Sequence, residues 1–230
     1  MPYYLYSMDI YYLLLVVPAF ILSLVAQFKV KSTYNKMSAI RNSRNITGAQ
    51  AAARVLYEHG ITNVRIEPVG GKLSDHYDPR TNVIRLSEGV YNSTSVAAVG
   101  IACHEAGHAV QHAQSYVPIK LRNMVLPVCN LGSTLGIPLA IIGLFMGFDF
   151  LFWIGIILYS FVAVFQLVTL PVEFNASKRA LTAIENTGML AGDEYNSAKK
   201  VLTAAAMTYV AALAVSIANL LRIILRSRRD

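Results

Sequence analysis

Charge is what this 230-residue chain has least of: Asp, Glu, Lys and Arg together make up 14% of it, against 55% hydrophobic residues. With a mean hydropathy of +0.46, it falls outside the range of an ordinary soluble domain. Acids are scarcer than bases, 13 against 20. No aromatic side chains interleave with a basic cluster, so the net charge of +7 is not a nucleic-acid footprint. It fits a membrane-facing bias with attraction to anionic lipid. Only two cysteines occur, Cys103 and Cys129, which is too few for a disulfide framework and suits a reducing compartment. No Lys or Arg precedes the first apolar run, and that run lacks a clear small-residue cleavage site. An uncleaved anchor is expected, not a signal peptide.

Long apolar runs are abundant. Ile10 to Phe28, Leu126 to Phe148, Phe150 to Leu170 and Ala204 to Leu225 each approach the ~20 residues a spanning helix needs. Lys29, Lys31, Lys36, Arg41 and Arg44 follow the first run, Lys120 and Arg122 precede the second, and Lys178 and Arg179 follow the third. The bias of basic residues to the cytoplasm predicts that these segments are cytoplasmic, with the N-terminus and the Gly147-Phe148-Asp149 link outside. The last run resists this scheme. If it spans, Arg222, Arg226, Arg228 and Arg229 end on the outer side; otherwise it lies at the interface.

The expected fold is a mainly α membrane protein of about four transmembrane helices carrying a small α+β cytoplasmic domain. Residues 1–28 would be the anchor, 29–125 the cytoplasmic domain, 126–170 a membrane hairpin, 171–203 a cytoplasmic helix and 204–230 a transmembrane or interfacial helix with a basic tail. Within 29–125, Thr47-Gly48-Ala49-Gln50 reads as a capping box opening a helix to His59, ended by Gly60, with His59 as a partner of the helix dipole. Val64 to Val69, Lys72 to Tyr77 and Asn82 to Leu86 read as short strands. An edge strand there could pair with an extended substrate, or the strands could simply pack beneath the next helix. Asn92-Ser93-Thr94 fits a helix start.

Chemistry concentrates in Cys103-His104-Glu105-Ala106-Gly107-His108. Residues i and i+4 lie on one face of a helix, so His104 and His108 can both reach one metal ion. Glu105 flanks them as a general base able to take a proton from a metal-activated water and pass it to a leaving amine. Small and apolar neighbours predict a buried helix, whose polar groups a bound cation would satisfy. Cys103 points about 100° round the helix from His104, which favours core packing over ligation.

A catalytic zinc takes three protein ligands. His112 lies ~12 Å along the axis from His104, too far to share an ion. A bent H-E-x-x-H-x-x-G-x-x-H site fails because Gln111 and Gln114 occupy its Gly and last His positions. Glu173 is the better candidate, after the third run, where Pro171 suits the first turn of a new helix and Lys178 and Arg179 place it beside the motif. The alternative is a carboxylate paired with Lys178 or Arg179. His76 and Tyr77, in a polar turn, could line the cleft, and His76 or Arg179 could face the oxyanion.

These motifs resemble the membrane-bound gluzincins, including the CaaX-type and HtpX-type peptidases. Leu73-Ser74-Asp75-His76-Tyr77-Asp78-Pro79, Arg85-Leu86-Ser87, His104 to His112 and Pro171 to Ser177 together resemble, more closely, the YugP-type bacterial neutral zinc metallopeptidases. The resemblance implies one zinc ion on His104, His108 and Glu173 with Glu105 as base, and a protein or peptide substrate associated with the membrane. Ser177 stands where the wider clan has an Asp that helps orient a ligand, so a weaker hydroxyl takes that place. Two other readings stay open: cleavage inside the bilayer, against which the polar flanks of the motif helix argue, and a zinc-stabilised scaffold without activity, which would have no need of Glu105.

Overall fold

The computed structural model describes residues 9–227, so the first eight residues of the expected anchor, and Arg228 and Arg229 of the basic tail, lie outside the described residues. The described residues divide into two compact units: residues 28–120 with 171–207, and residues 9–27 with 121–170 and 208–227. Among the described residues, four helices are long and apolar enough to cross a membrane, covering Tyr12–Ser38, Val117–Met146, Asp149–Asn186 and Asp193–Arg226.

In the unit holding the motif, α1 (Val17–Ser38) delivers the chain to α2 (Gly48–Glu58). The capping box forms as its sequence predicts: Thr47 accepts from the Gln50 amide, and Gln50 reaches back to the Thr47 amide. His59 caps the other end with its ring bonded to the Val55 carbonyl, and Gly60 turns the chain at φ 66°. Three strands follow: β1 (Arg65–Val69), β2 (His76–Asp78) and β3 (Val83–Ser87). The sheet order is β1-β3-β2, with β1 parallel and β2 antiparallel to β3, so β2 is an edge strand.

The strand expected from Lys72 starts only at His76. Gly71 and Leu73 take φ of 98° and 56°, and Ser74 donates back to the Gly70 carbonyl, which closes a tight turn where extended backbone was predicted. Asp75 then accepts from the amide and hydroxyl of Ser87, tying the loop to the end of β3. After the short α3 (Glu88–Tyr91) comes α4 (Val96–Ala113), capped by Ser95 accepting from the Ala98 amide. It is buried, as its composition predicts. Val96, Val99, Ala102, Cys103, Ala106 and Val110 join Val55, Ile84, Leu86 and Ile184 in one core. Burying each of the larger aliphatics contributes about 1.5–3 kcal/mol.

In the other unit, α5 (Val117–Leu131), a π-helical turn (Gly132–Gly136) and α6 (Ile137–Met146) form one arm of a hairpin. Gly147, at φ 69°, ends that arm and α7 (Asp149–Asn186) begins, at the predicted link. Gly132 and Gly143 face the backbones of Leu158 and Phe152 with no room for a Cβ, which is how helices approach closely in lipid. The end of α8 (Asp193–Ser227) packs Leu220, Ile223 and Ile224 against Ala140, Phe152 and Ile156.

Helix boundaries differ from expectation: α1 continues to Ser38 and α5 already opens at Val117, outside the first and second apolar runs. Pro171 opens no new helix; α7 runs through it without a break, and α8 likewise starts eleven residues before the last apolar run. Proline is tolerated inside membrane-type helices because neighbouring groups satisfy the carbonyl it frees. At 1.5 Å per residue, α7 and α8 are ~50–57 Å long, well beyond a ~30 Å hydrocarbon core. The basic end of α8 is also less exposed than its sequence suggests. Asp9 accepts from Arg222 at 2.8 Å and from Arg226 at 3.1 Å, and the Arg222 guanidinium stacks 4.9 Å from the Tyr12 ring centroid.

Candidate metal centre

Two helices build the site. On α4 the i, i+4 spacing sets the His104 and His108 rings edge to face, with centroids 4.7 Å apart. On α7, Glu173 brings one carboxylate oxygen to 3.3 Å from His104 Nε2 and 3.6 Å from His108 Nε2. One donor atom from each of the three residues lies within 4.8 Å of the other two. In a tetrahedral zinc site with bonds of about 2.0–2.2 Å, donors are about 3.3–3.5 Å apart, close to the two separations between the Glu173 oxygen and the imidazoles. Glu173 is only 5% exposed. Among the described residues, Lys178 and Arg179 form no ion pair with it.

Both imidazoles are held from behind. In the tautomer that leaves Nε2 free for a metal, His104 Nδ1–H donates to Ser177 Oγ at 3.1 Å, and His108 Nδ1–H donates to Gln111 Oε1 at 3.0 Å. Ser177, the hydroxyl at the position where the resemblance leads one to expect an Asp, thus lies within hydrogen-bond distance of the His104 ring. Gln111 is fully buried. It donates onward to the Val172 carbonyl at 2.8 Å and to Asn175 Oδ1 at 3.0 Å. The same Asn175 oxygen accepts from Arg179 Nε at 2.7 Å, and Arg179 donates to Gln114 at 2.8 Å. A polar ladder thus runs between α4 and α7 behind the donor atoms. Burial on its own would lower the His108 pKa, but the Glu173 hydrogen bond and the nearby Glu105 and Glu173 charges raise it overall.

Backbone approach permits this register. At Gly107 an added Cβ would lie 2.8 Å from the Ala176 carbonyl oxygen of α7, so only glycine allows the two helices this close. Glu105 is 9% exposed and, among the described residues, makes no hydrogen bond or ion pair. A buried carboxylate without a protein partner is available to water or substrate.

The other expected site residues scatter. His76 is exposed, its Nδ1 bonded to the Ser74 carbonyl, and it is not among the three donors. Tyr77 lies across α4, with its hydroxyl 3.0 Å from Asn82 Oδ1 and 3.4 Å from His112 Nδ1, and burial and Asp78 push its pKa up. His112 stays out of the donor cluster, as the helical rise requires. Cys103 is fully buried core, where desolvation raises its thiol pKa far above the usual range. Arg179 is engaged by Asn175 and Gln114. Gln111 and Asn175 carried no functional expectation. A fully polar amide three residues after His108, in an otherwise apolar helix, was the one signal that could have found the first.

A family model described as "Putative neutral zinc metallopeptidase" matches residues 12–228. The chain is 47% identical over 214 residues to the "Putative membrane protease YugP" of Bacillus subtilis (strain 168), covering 93% of this chain and 95% of that protein. No solved structure matches. Zinc is the metal that the family implies, the three converging donors suit it, and the apolar helices make the protein a multi-pass membrane protein. On a match that spans nearly its whole length, this chain belongs to the neutral zinc metallopeptidase family.

Proposed function

We propose that this protein is an endopeptidase that hydrolyses peptide bonds of membrane-associated proteins or peptides at the cytoplasmic face, with His104, His108 and Glu173 holding one zinc ion and Glu105 acting as general base. The observation that carries the reading is the meeting of those three donors beside a buried carboxylate that has no protein partner among the described residues. Zinc bound there supplies Lewis acidity toward the scissile carbonyl and makes water a nucleophile near neutral pH.

Everything else falls to the chain's own groups. Glu105 takes the proton of the attacking water on its carboxylate and hands it to the departing amine nitrogen, a transfer worth typically ~10²- to 10⁴-fold in rate. Ser177 and Gln111 hold the two imidazoles in the tautomer that ligates. The edge strand β2, packed beside α4 through Tyr77 and His112, offers an unpaired ladder to an extended substrate. The cytoplasmic assignment rests on Lys29, Lys31, Lys36, Lys120, Arg122, Lys178 and Arg179 at the ends of the apolar runs.

The test is Glu105→Gln in detergent-purified full-length protein, with metal content and cleavage of denatured membrane-protein substrates measured on the same sample. Full zinc with cleavage reduced at least a hundredfold is expected. Unchanged cleavage would remove Glu105 from the mechanism. Zinc that is retained in wild type with no cleavage of any substrate would favour a scaffold.

A further inference from the structure

A second feature of the motif-bearing unit lies away from the donor cluster. Between the C-terminal half of α1 and the N-terminal half of α8 is a groove of about 620 Å³ whose lining includes Lys29, Lys36, Lys199 and Lys200. Thr33, Asn196 and Thr203 add hydroxyl and amide groups, and Met37, Ala204 and Met207 make an apolar side. The spacings follow from helical geometry. Residues 29, 33, 36 and 37 share one face of α1, and residues 196, 199, 200, 203, 204 and 207 share one face of α8, so the two faces meet lysine to lysine. Asp193 is the one carboxylate in the lining, against the four ammonium groups. Among the described residues, none of the four lysines is in an ion pair or hydrogen bond with the protein. Four like charges in one groove repel each other unless an anion sits among them.

The position of the lysines along each helix says which anion. Lys29 is the first residue after the apolar run Ile10 to Phe28, and Lys199 and Lys200 immediately precede the apolar run that starts near Ala204. Each helix therefore enters hydrocarbon at the level of the groove, where phosphate headgroups lie. Lysines bind phosphate as point charges from several directions, and the methionine side can take the first methylenes of an acyl chain.

We propose that this groove is a binding site for the phosphate-bearing headgroup of an anionic phospholipid, with Lys29, Lys36, Lys199 and Lys200 on the phosphate, Thr33, Asn196 and Thr203 on headgroup hydroxyls, and Met37 and Met207 against the acyl chain. The site is independent of the metal centre and needs neither zinc nor turnover. A lipid seated there bridges α1 and α8.

The experiment is native mass spectrometry of the full-length protein released from mixed detergent micelles holding equal phosphatidylglycerol and phosphatidylcholine. Wild type should retain phosphatidylglycerol in clear excess, and Lys29→Gln/Lys36→Gln/Lys199→Gln/Lys200→Gln should lose it, by on the order of a hundredfold in affinity at roughly five-fold per lysine less screening. The four-fold Lys→Arg variant should keep it, which separates loss of charge from loss of fold. Removing the same number of charges at Arg54, Arg65, Lys72 and Arg80, outside the groove, should change little. Equal retention by wild type and the Gln variant would overturn the proposal, as would an equal loss in the control variant. Displacement of the lipid by millimolar inorganic phosphate would also overturn it, since the groove would then be a site for the free ion.

Discussion

Gly107→Ala puts a single methyl group where the motif helix meets the helix that carries the third donor. In an exposed helix this substitution gains about 1 kcal/mol, because glycine is the poorer helix former. Here the new Cβ would stand 2.8 Å from the Ala176 carbonyl oxygen, a backbone atom that cannot rotate away. Ordinary contact begins near 3.4 Å, so α4 and α7 must part by about 0.6 Å. Overpacking of this kind costs about 1–3 kcal/mol, so the net effect on folding is a loss of up to about 2 kcal/mol. The donor set is affected more sharply, since metal–ligand distances tolerate only about 0.2 Å. Separating Glu173 from His104 and His108 by three times that amount should weaken zinc binding on the order of ten- to a hundredfold, similar to losing an orienting partner. Gly100→Ala is the control: its Cβ would meet the Ala198 side chain of α8 at 3.3 Å, which bears on stability and leaves the α4–α7 register alone. Zinc affinity by chelator competition and the thermal midpoint of the metal-free protein would be measured for both variants. A Gly107→Ala protein that binds zinc as wild type does, with a raised midpoint, would refute the argument that this contact sets the donor geometry.

Other expectations follow from the same arrangement. Gln111→Leu removes the acceptor behind His108, the side-chain donor to the Val172 carbonyl and one of the two donors to Asn175 Oδ1, so zinc affinity should fall about 10- to 100-fold with a smaller loss of stability; equal affinity by the same chelator assay would show the ladder to be incidental. Asp78 accepts from Thr81 and from the Arg80 amide, with Arg85 beside it, and these hold its carboxyl down at about 2 against an ordinary value of 3.8. Because the folded value is the lower one, the turn is supported above pH 4, and that support is lost as pH falls toward 2; hydrogen exchange of the Arg80 to Val83 amides should accelerate across that window in wild type and not in Asp78→Asn. Single cysteines at Arg65 and Glu185 should be labelled from the same side of the membrane, and that side should be the cytoplasm; labelling from opposite sides would separate segments that the shared donors require to be together.

Much of this architecture is written in short-range signals. The capping box at Thr47, the glycine at position 60 and the Gly147 link depend only on neighbours within a turn, and each forms where its residues stand. Hydropathy located four apolar helices but could not say where those helices end, because it reports solvent preference and not hydrogen bonding. Pro171 illustrates the difference: the loss of one backbone donor is a strong stop signal in water and a weak one in a long helix packed on both sides of that point. The π turns at Tyr12–Val16 and Gly132–Gly136 left no trace that periodicity could have detected.

For the site, legibility fell off with sequence distance. His104, Glu105 and His108 are related by one helical turn, so their common face follows from spacing alone. Glu173 comes 65 residues after His108, and what selected it was elimination among acids plus the basic residues beside it. Its meeting with the histidines depends on how closely α4 and α7 pack, which Gly107 and Ala176 decide and which no local pattern encodes. Gln111 was visible in the sequence only as a residue that broke a different zinc motif. Its amide can donate to Asn175 and Val172 while accepting from His108 only because that close packing brings α7 within reach. A departure from one motif thus became a support of another. The same packing of α4 on α7 engages Arg179, a charged side chain that the sequence sets four residues after Asn175: its Nε donates to Asn175 on its own helix and its guanidinium reaches Gln114 at the end of α4.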